Sequence, residues 1–395
     1  MPRIPQVALL IDTSTDYSTR VIQGVDQYMR SHRPWQLLVQ PRGERERALM
    51  PKHWQPVGVI ARVTHRALAV NLHERQIPVV NVSLSEVPGL PFPKVTIDEL
   101  LVGAWAATHL WQRGFRHFGY CGLWRQPNYV DSCGPAFAAQ LTEYSPTSRV
   151  WMPRKPGAAA HSTLTIPLLQ SWLKRLPKPV GILAVDAEDA HNLVEACHAG
   201  GHHVPDDIAI IVGEDDRLLC EISHPPLASI DLNSERIGYE AAALLDRLLN
   251  GRQPPEQPIY LPPLRVIPRQ STDTLAMEDR DLALAVRYIR EHAGEPLGVL
   301  DVLKQVPLAR RTLEQRFLQV LGLTPAAEIR RVRIERAKDL LISTDWPIPK
   351  IASSSGFAST EVMNRLFRRE LDVTPTQFRT RSRLGRGSLH PAPAE

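Results

Sequence analysis

The sequence predicts an α/β region through residue 272, followed from residue 281 by an all-α region carrying two helix-turn-helix units. Three observations predict it. Short aliphatic runs alternate with helix-length amphipathic segments through the first part of the chain. A proline-rich stretch then interrupts that rhythm, and the last part holds one two-helix pattern twice. The length of 395 residues also exceeds the roughly 250 to 300 at which single cores stop growing.

The runs are Val7 to Ile11, Val57 to Ala61, Val79 to Val82, Phe118 to Cys121, Val180 to Val185 and Ile208 to Val212. Continuous apolar strands separated by helices mean a parallel sheet buried on both faces. Between the first two, Thr19 to Arg30 places Val21, Ile22, Val25 and Tyr28 on one helical face. Further on, LNSERIGYEAAALLDRLLNG carries helix punctuation, with Ser234 as N-cap, an apolar stripe through Ile237, Ala241, Leu244, Leu245 and Leu248, and Gly251 as stop. From Pro254 to Pro268 proline forbids helix, so the chain there crosses or leaves a domain.

Composition removes several function classes. The four cysteines show no CxxC pair and no His-x-x-x-His nearby, and the adjacent His202 and His203 read as a solvent-facing turn, so neither metal nor cofactor is implied. No apolar stretch approaches the ~20 residues that span a bilayer, and the five apolar residues Val7 to Ile11 are too few for a leader. The expectation is a soluble cytoplasmic protein. Charge is uneven: residues 281 to 395 hold 19 basic and 13 acidic residues, whereas the rest holds 28 and 29. A basic, arginine-dominated last part beside a neutral first part points to a polyanion for the last part alone.

PPLASIDLNSERIGYEAAALLDRLLNG with LPPLRVIPRQST, preceded by VPDDIAIIVGEDD, resembles the end of the LacI/periplasmic-binding-protein type of effector domain. The resemblance covers residues 5 to 272. It implies two lobes, each a doubly wound parallel sheet, closing over a sugar or similar polar molecule. In that family carboxylates and amides at strand ends hold sugar hydroxyls while aromatic rings cover the apolar ring face, since each hydroxyl must exchange water for a good partner. Matching positions are Asp12 and Tyr17, Asp98, Trp124 with Arg125, Asp186 and Asp215. Relatives place the carboxylate after Val180 to Val185 one residue later, so Asp186 or Asp189 could supply it. No helix-turn-helix pattern precedes the first run, which leaves DNA reading to another segment.

That segment follows. DLALAVRYIREH, residues 281 to 292, gives an amphipathic helix with Leu284, Ala285, Tyr288 and Ile289 inward. A short helix, a turn around Val306 to Leu308 and a second helix from about Ala309 come next, with Leu300, Leu303, Leu308, Leu313 and Phe317 closing a small core. The linking helix Ala326 to Ser343 presents Ile329, Val332, Ala337 and Leu340. The pattern then recurs with Ile348, Ile351 and Ala352, a turn at Gly356, and Phe357, Met363, Leu366 and Phe367. Aligning the units sets Leu308 on Phe357, Phe317 on Phe367 to within a residue, and TP on TP, a duplication of function.

Residues 280 to 380 resemble the AraC/XylS family DNA-binding domain through IAxxxGF and LFRRExxxTPTQFR, with Asp372 in place of the usual Gly and Ala309 in place of the usual Ser cap. The resemblance assigns base reading to Arg310, Arg311, Thr312 and Gln315 in the first unit and to Ser359, Thr360, Glu361, Asn364 and Arg365 in the second. The chemistry agrees, because Arg pairs with guanine and Gln or Asn with adenine in the major groove. Arg316, Arg331, Arg368 and Arg369 are expected to meet phosphate or solvent. A linking helix of ~18 residues spans ~27 Å, short of the ~34 Å DNA repeat, so one chain is expected to enter two successive major grooves with either the DNA bent or the second helix shallow.

The expected organisation is an effector domain over 1–272, a linker over 273–280, a DNA-binding domain over 281–381 and a disordered tail over 382–395. The order of these parts resembles the xylose-operon regulator family. That implies a homodimer that binds D-xylose or a related pentose, reads operator DNA and, as an activator, meets RNA polymerase. The rival class, a sugar-acting enzyme with a basic tail, needs an acid/base pair, nucleophile or phosphate loop, and the sequence offers no such motif.

Overall fold

The computed structural model describes residues 4–32, 34–41, 43, 49–122, 128–153, 164–273 and 279–383. Contacts divide the chain into two compact units, Met1–His109 with Arg116–Thr274, and Leu110–Phe115 with Leu275–Glu395. The first unit opens with β1 (Gln6–Leu10), α1 (Asp16–Ser31), β2 (Gln36–Val39), β3 (Gly58–Ala61), α2 (Arg66–His73), β4 (Val79–Asn81), β5 (Val95–Ile97) and α3 (Glu99–Trp111). It continues through β6 (His117–Cys121), α4 (Cys133–Tyr144), β7 (Val150–Trp151), α5 (Ile166–Leu173), β8 (Val180–Ala184), α6 (Ala187–Ala199), β9 (Ile208–Val212) and α7 (Arg217–Ile222). β10 (Ala228–Asp231), α8 (Ser234–Leu249), β11 (Ile259–Leu261) and β12 (Arg265–Ile267) complete it.

Two doubly wound sheets result. The first runs β2-β1-β3-β4 with every pair parallel, and the second runs β12-β10-β9-β8-β6-β7. β3, β8 and β9 are buried along their whole length, as continuous aliphatic strands with helices on both faces must be. α1 and α8 pack at very close range: a Cβ on Gly24 would sit 1.9 Å from the Glu235 carbonyl oxygen, and one on Gly238 1.9 Å from that of Val21.

Several elements differ from expectation. β12 pairs antiparallel to β10, so the second sheet is mixed, and the short strands β2, β5, β7, β11 and β12 lack the long aliphatic runs that mark their neighbours. The proline-rich stretch supplies β11, which pairs β5, and β12, which joins the second sheet; Pro262 and Pro263 fall between the two strands, where no ladder bond is needed. α8 is capped by Asn233 in left-handed backbone, with Ser234 as its first helical residue. Gly251, at φ 76° in left-handed backbone, follows the Asn250 C-cap and ends the helix as expected.

The second unit comprises α9 (Arg280–Glu291), α10 (Val299–Leu303), α11 (Arg310–Leu321), α12 (Pro325–Ser343), α13 (Ile348–Ser354), α14 (Thr360–Leu371) and α15 (Pro375–Arg383). It holds two cores, one around Phe317 and Leu313, the other around Phe367 and Met363. The buried face of α9 is Leu282, Ala285, Val286 and Ile289, while Leu284 is 45% exposed; on α10 Val302 is buried and Leu300 is 65% exposed. Both helices are rotated from the expected stripe because their apolar residues exceed one face and only tertiary packing chooses among them. α15 carries the fold through Arg383, past the expected start of the tail; the remaining tail and most of the 273–280 linker lie outside the described residues.

Candidate ligand cleft and nucleic-acid interface

Doubly wound sheets leave a crevice beyond the C-terminal ends of their strands where strand order reverses. In the first unit β1 lies between β2 and β3, and β6 lies between β7 and β8. A cavity of ≈ 240 Å³ opens there. The turns after β1, β3 and β4 contribute Ser14, Thr15, Tyr17, Arg62 and Ser83; those after β8 and β9 contribute Asp186, Glu188, Glu214 and Asp216. Helix starts shape both walls, since Thr15 caps α1, Asp186 caps α6 and Asp216 caps α7 through their side chains.

The charged centre of the first wall is Arg62. Its Nη1 donates to Asp12 Oδ2 at 2.7 Å and to Ser18 Oγ at 3.3 Å, and its guanidinium lies 5.4 Å from the centre of the Tyr17 ring. Ser18 and Thr15 also donate to Asp12. Burial alone would raise the Asp12 carboxyl, but Arg62, Ser18 and Thr15 outweigh it and hold the group below the usual carboxylate range. Tyr17 donates its hydroxyl to the Val82 carbonyl at 2.8 Å, and burial pushes it up to about 12, so it stays a neutral phenol. Asp16, beside the cavity, is raised first by burial and further by Asp216 and Asp215, against the pull of Arg20 and Arg217. Among the described residues the cleft therefore offers a fixed guanidinium, neutral hydroxyls, several carboxylates and the Tyr17 ring.

Of the residues expected here, Tyr17 and Asp186 line the cavity, and Asp12 stands directly behind Arg62. Asp186 accepts the Asp189 amide at 2.6 Å; of these two carboxylates Asp186 is the one on the cavity wall. Two carboxylates are otherwise employed. Asp98 caps α3 by accepting from the Leu100 amide at 3.0 Å, and Asp215 is closed in by Ser229 at 2.6 Å and Arg269 at 2.9 Å. Trp124 and Arg125 lie outside the described residues. Arg62, Ser83, Glu188, Glu214 and Asp216 were missed, although Arg62 directly follows β3 and the others lie within four residues of a strand end, where position could have pointed to them.

In the second unit, structure sharpens the repeat. α11 and α14 match position for position, with Ala309 on Ser359, Leu313 on Met363, Phe317 on Phe367 and Gly322 on Asp372. The one-residue uncertainty is confined to the turn before each helix. Gly322 at φ 73° and Asp372 at φ 52° both end their helices in left-handed backbone, and Thr324 and Thr374 then accept the Ala327 and Gln377 amides to start the next. Ser359 caps α14 by accepting from the Val362 amide, whereas Ala309 gives α11 no side-chain cap.

On α11, Arg310, Arg311 and Gln315 are exposed and Thr312 is half-buried; Arg310 pairs with Glu314 at 3.0 Å. On α14, Glu361 and Arg365 are exposed, with Ser359, Thr360 and Asn364 half-buried beside them. Glu361 is lowered chiefly by its hydrogen bond with Ser359, marking a helix-start charge. Two arginines expected at phosphate or solvent pair with carboxylates of their own domain instead. Arg316 donates to Asp279 at 2.8 Å, and Arg331 donates to the buried Glu328 at 2.7 Å. Burial works to raise Glu328, and Arg331 and Arg290 overcome it and keep it ionised.

Family models match three consecutive parts of the chain: an XylR N-terminal domain over residues 6–97, a periplasmic binding protein-like domain over 107–272 and a helix-turn-helix domain over 302–381. The xylose operon regulatory protein of Escherichia coli strain K12 is 30% identical over 386 residues, covering 95% of this chain and 96% of that protein. The chain belongs to the xylose operon regulatory protein family. The Haemophilus influenzae member is 29% identical over 95% of this chain and 98% of its own length. The solved structure of the xylose-binding transcription activator XylR is similar with a TM-score of 0.57 and 28% identity, covering 96% of this chain and 98% of that one. A CelR-cellobiose complex, at 20% identity and TM-score 0.52 over 69% of this chain and 86% of that one, shares the fold of the effector part. Family membership makes the chain a DNA-binding transcription regulator and not an enzyme.

Proposed function

We propose that the chain activates pentose-catabolism genes by binding D-xylose, or a close pentose, in the cleft between its two sheets. The observation that carries this is a small cavity at the strand ends in which the Arg62 guanidinium, the Tyr17 ring and the carboxylates of Asp186, Glu188 and Glu214 converge. A neutral polyol needs such alternating donors and acceptors, and Asp12 already neutralises the Arg62 guanidinium on the cavity wall. Effector and reader correspond to residues 1–272 and 281–381. Arg310, Arg311, Thr312 and Gln315 of α11, and Ser359, Thr360, Glu361, Asn364 and Arg365 of α14, read successive major grooves. The regulator works in the cytoplasm as a homodimer and acts on RNA polymerase. Thermal unfolding measured with a panel of pentoses and hexoses tests the ligand: D-xylose or a pentose near it raises Tm in a saturable manner, and a panel without any stabilising sugar refutes the reading.

A further inference from the structure

The two helix-turn-helix units are joined by more than α12. The loop between α9 and α10 belongs to the first unit, and the turn between α13 and α14 belongs to the second. Gly356, in that turn at φ 75°, leaves no room for a side chain, because a Cβ would stand 2.1 Å from the Ala293 carbonyl oxygen of the loop and 2.8 Å from Arg333 Nε. Arg333 rises from α12 at this junction. It donates to three loop carbonyls, Ala293 at 3.3 Å, Glu295 at 3.0 Å and Leu297 at 2.9 Å. One turn along, Arg336 lays its guanidinium 3.1 Å from where a Gly294 Cβ would stand and donates to the Ser354 carbonyl at 2.8 Å, touching both units at once. Among the described residues both guanidiniums bind backbone carbonyls, which are fixed in position.

We propose that Arg333, with Arg336 beside it, is a positioning residue that locks the two units into one block and thereby sets the spacing of the two DNA half-sites. The inference rests on both α11 and α14 reading DNA. A single helix between two small cores would let each core rock about its axis. A second attachment, from loop to turn, removes that freedom. The 19 residues of α12 span about 28 Å at about 1.5 Å per residue, against about 34 Å for successive major grooves. With the protein rigid, the DNA supplies the difference by bending, and one spacing is favoured. With the lock released, neighbouring spacings become accessible.

The test selects bound duplexes from a randomised DNA library with the full-length chain, as wild type, Arg333→Ala and Arg336→Ala. Wild type enriches two motifs at one dominant spacing. Arg333→Ala enriches the same two motifs with adjacent spacings in comparable numbers, and Arg336→Ala broadens the distribution less. If both variants keep the single wild-type spacing, the assignment is overturned. It is overturned equally if Arg333→Ala enriches no motif, since Arg333 would then serve the fold itself. A wild type that enriches only one motif would instead refute dual reading by α11 and α14.

Discussion

Arg62 is the residue on which the cleft turns, and it was not among the residues expected there. Carboxylates and rings are the groups that commonly hold sugars, and an arginine directly after β3 carries no such signal in the sequence. Asp98 and Asp215 were chosen because they follow strand ends, yet a strand end is also where helix caps and buried clamps belong, and a sequence does not separate the two uses. The distinction is measurable. Asp98→Ala should leave sugar affinity unchanged and cost about 1 kcal/mol of stability as a lost cap. Arg62→Ala combined with Asp12→Ala, which avoids stranding a buried charge, should raise the sugar Kd roughly ten- to hundredfold, the worth of a charged hydrogen bond. Titration calorimetry checks both, and the reverse ranking would contradict the site. Asp12 adds a pH signature. Its folded pKa is depressed, so its contribution is present above the unfolded carboxylate value near pH 4 and is lost as pH falls through the folded value. Asp12→Asn should therefore be less stable than wild type at neutral pH, with the gap narrowing on acidification. A gap that stays constant down to acid pH would show that the carboxylate is not held in its charged form.

At the scale of elements, legibility followed the strength of the local signal. β1, β8 and β9 announce themselves because burial on both faces demands unbroken aliphatic runs, whereas β5, β11 and β12 are three residues each and take their strand character from partners elsewhere in the chain. The repeat was legible down to its TP caps, since Thr before Pro starts a helix by local chemistry alone. The inward face of α9 was not, because Leu282, Leu284 and Val286 leave two faces open and contact with the Phe317 core decides. The repeat also exposes a weakness: Ala309 stands where Ser359 caps the sister helix. Ala309→Ser should stabilise the chain by about 1 kcal/mol in denaturant unfolding. No change would mean that the amides at the start of α11 are already satisfied by other means.

Across the whole molecule, charge and duplication placed DNA binding in the last part of the chain, and the order of aliphatic runs placed an α/β architecture in the first, to which only the family resemblance added a ligand. What the sequence could not supply was which strand-end groups face the cavity, because that depends on how two sheets built from separate stretches meet. The central claim is that one chain couples these two events. A ligand can shift a regulator only through a preference for one of its states, and typical couplings of about 1 to 3 kcal/mol change the second affinity roughly 5- to 150-fold. The most direct measurement is the affinity of the full-length chain for its selected DNA, at fixed salt, with and without saturating D-xylose, for wild type and for the Arg62→Ala/Asp12→Ala variant. With D-xylose at a concentration that only just saturates wild type, the expected result is a ratio in that range for wild type and a clearly smaller one for the variant, whose sugar Kd is raised, with sugar-free DNA affinity equal in both. An equal response to D-xylose in the two proteins would contradict it, and so would a wild type that binds the sugar while its DNA affinity stays unchanged.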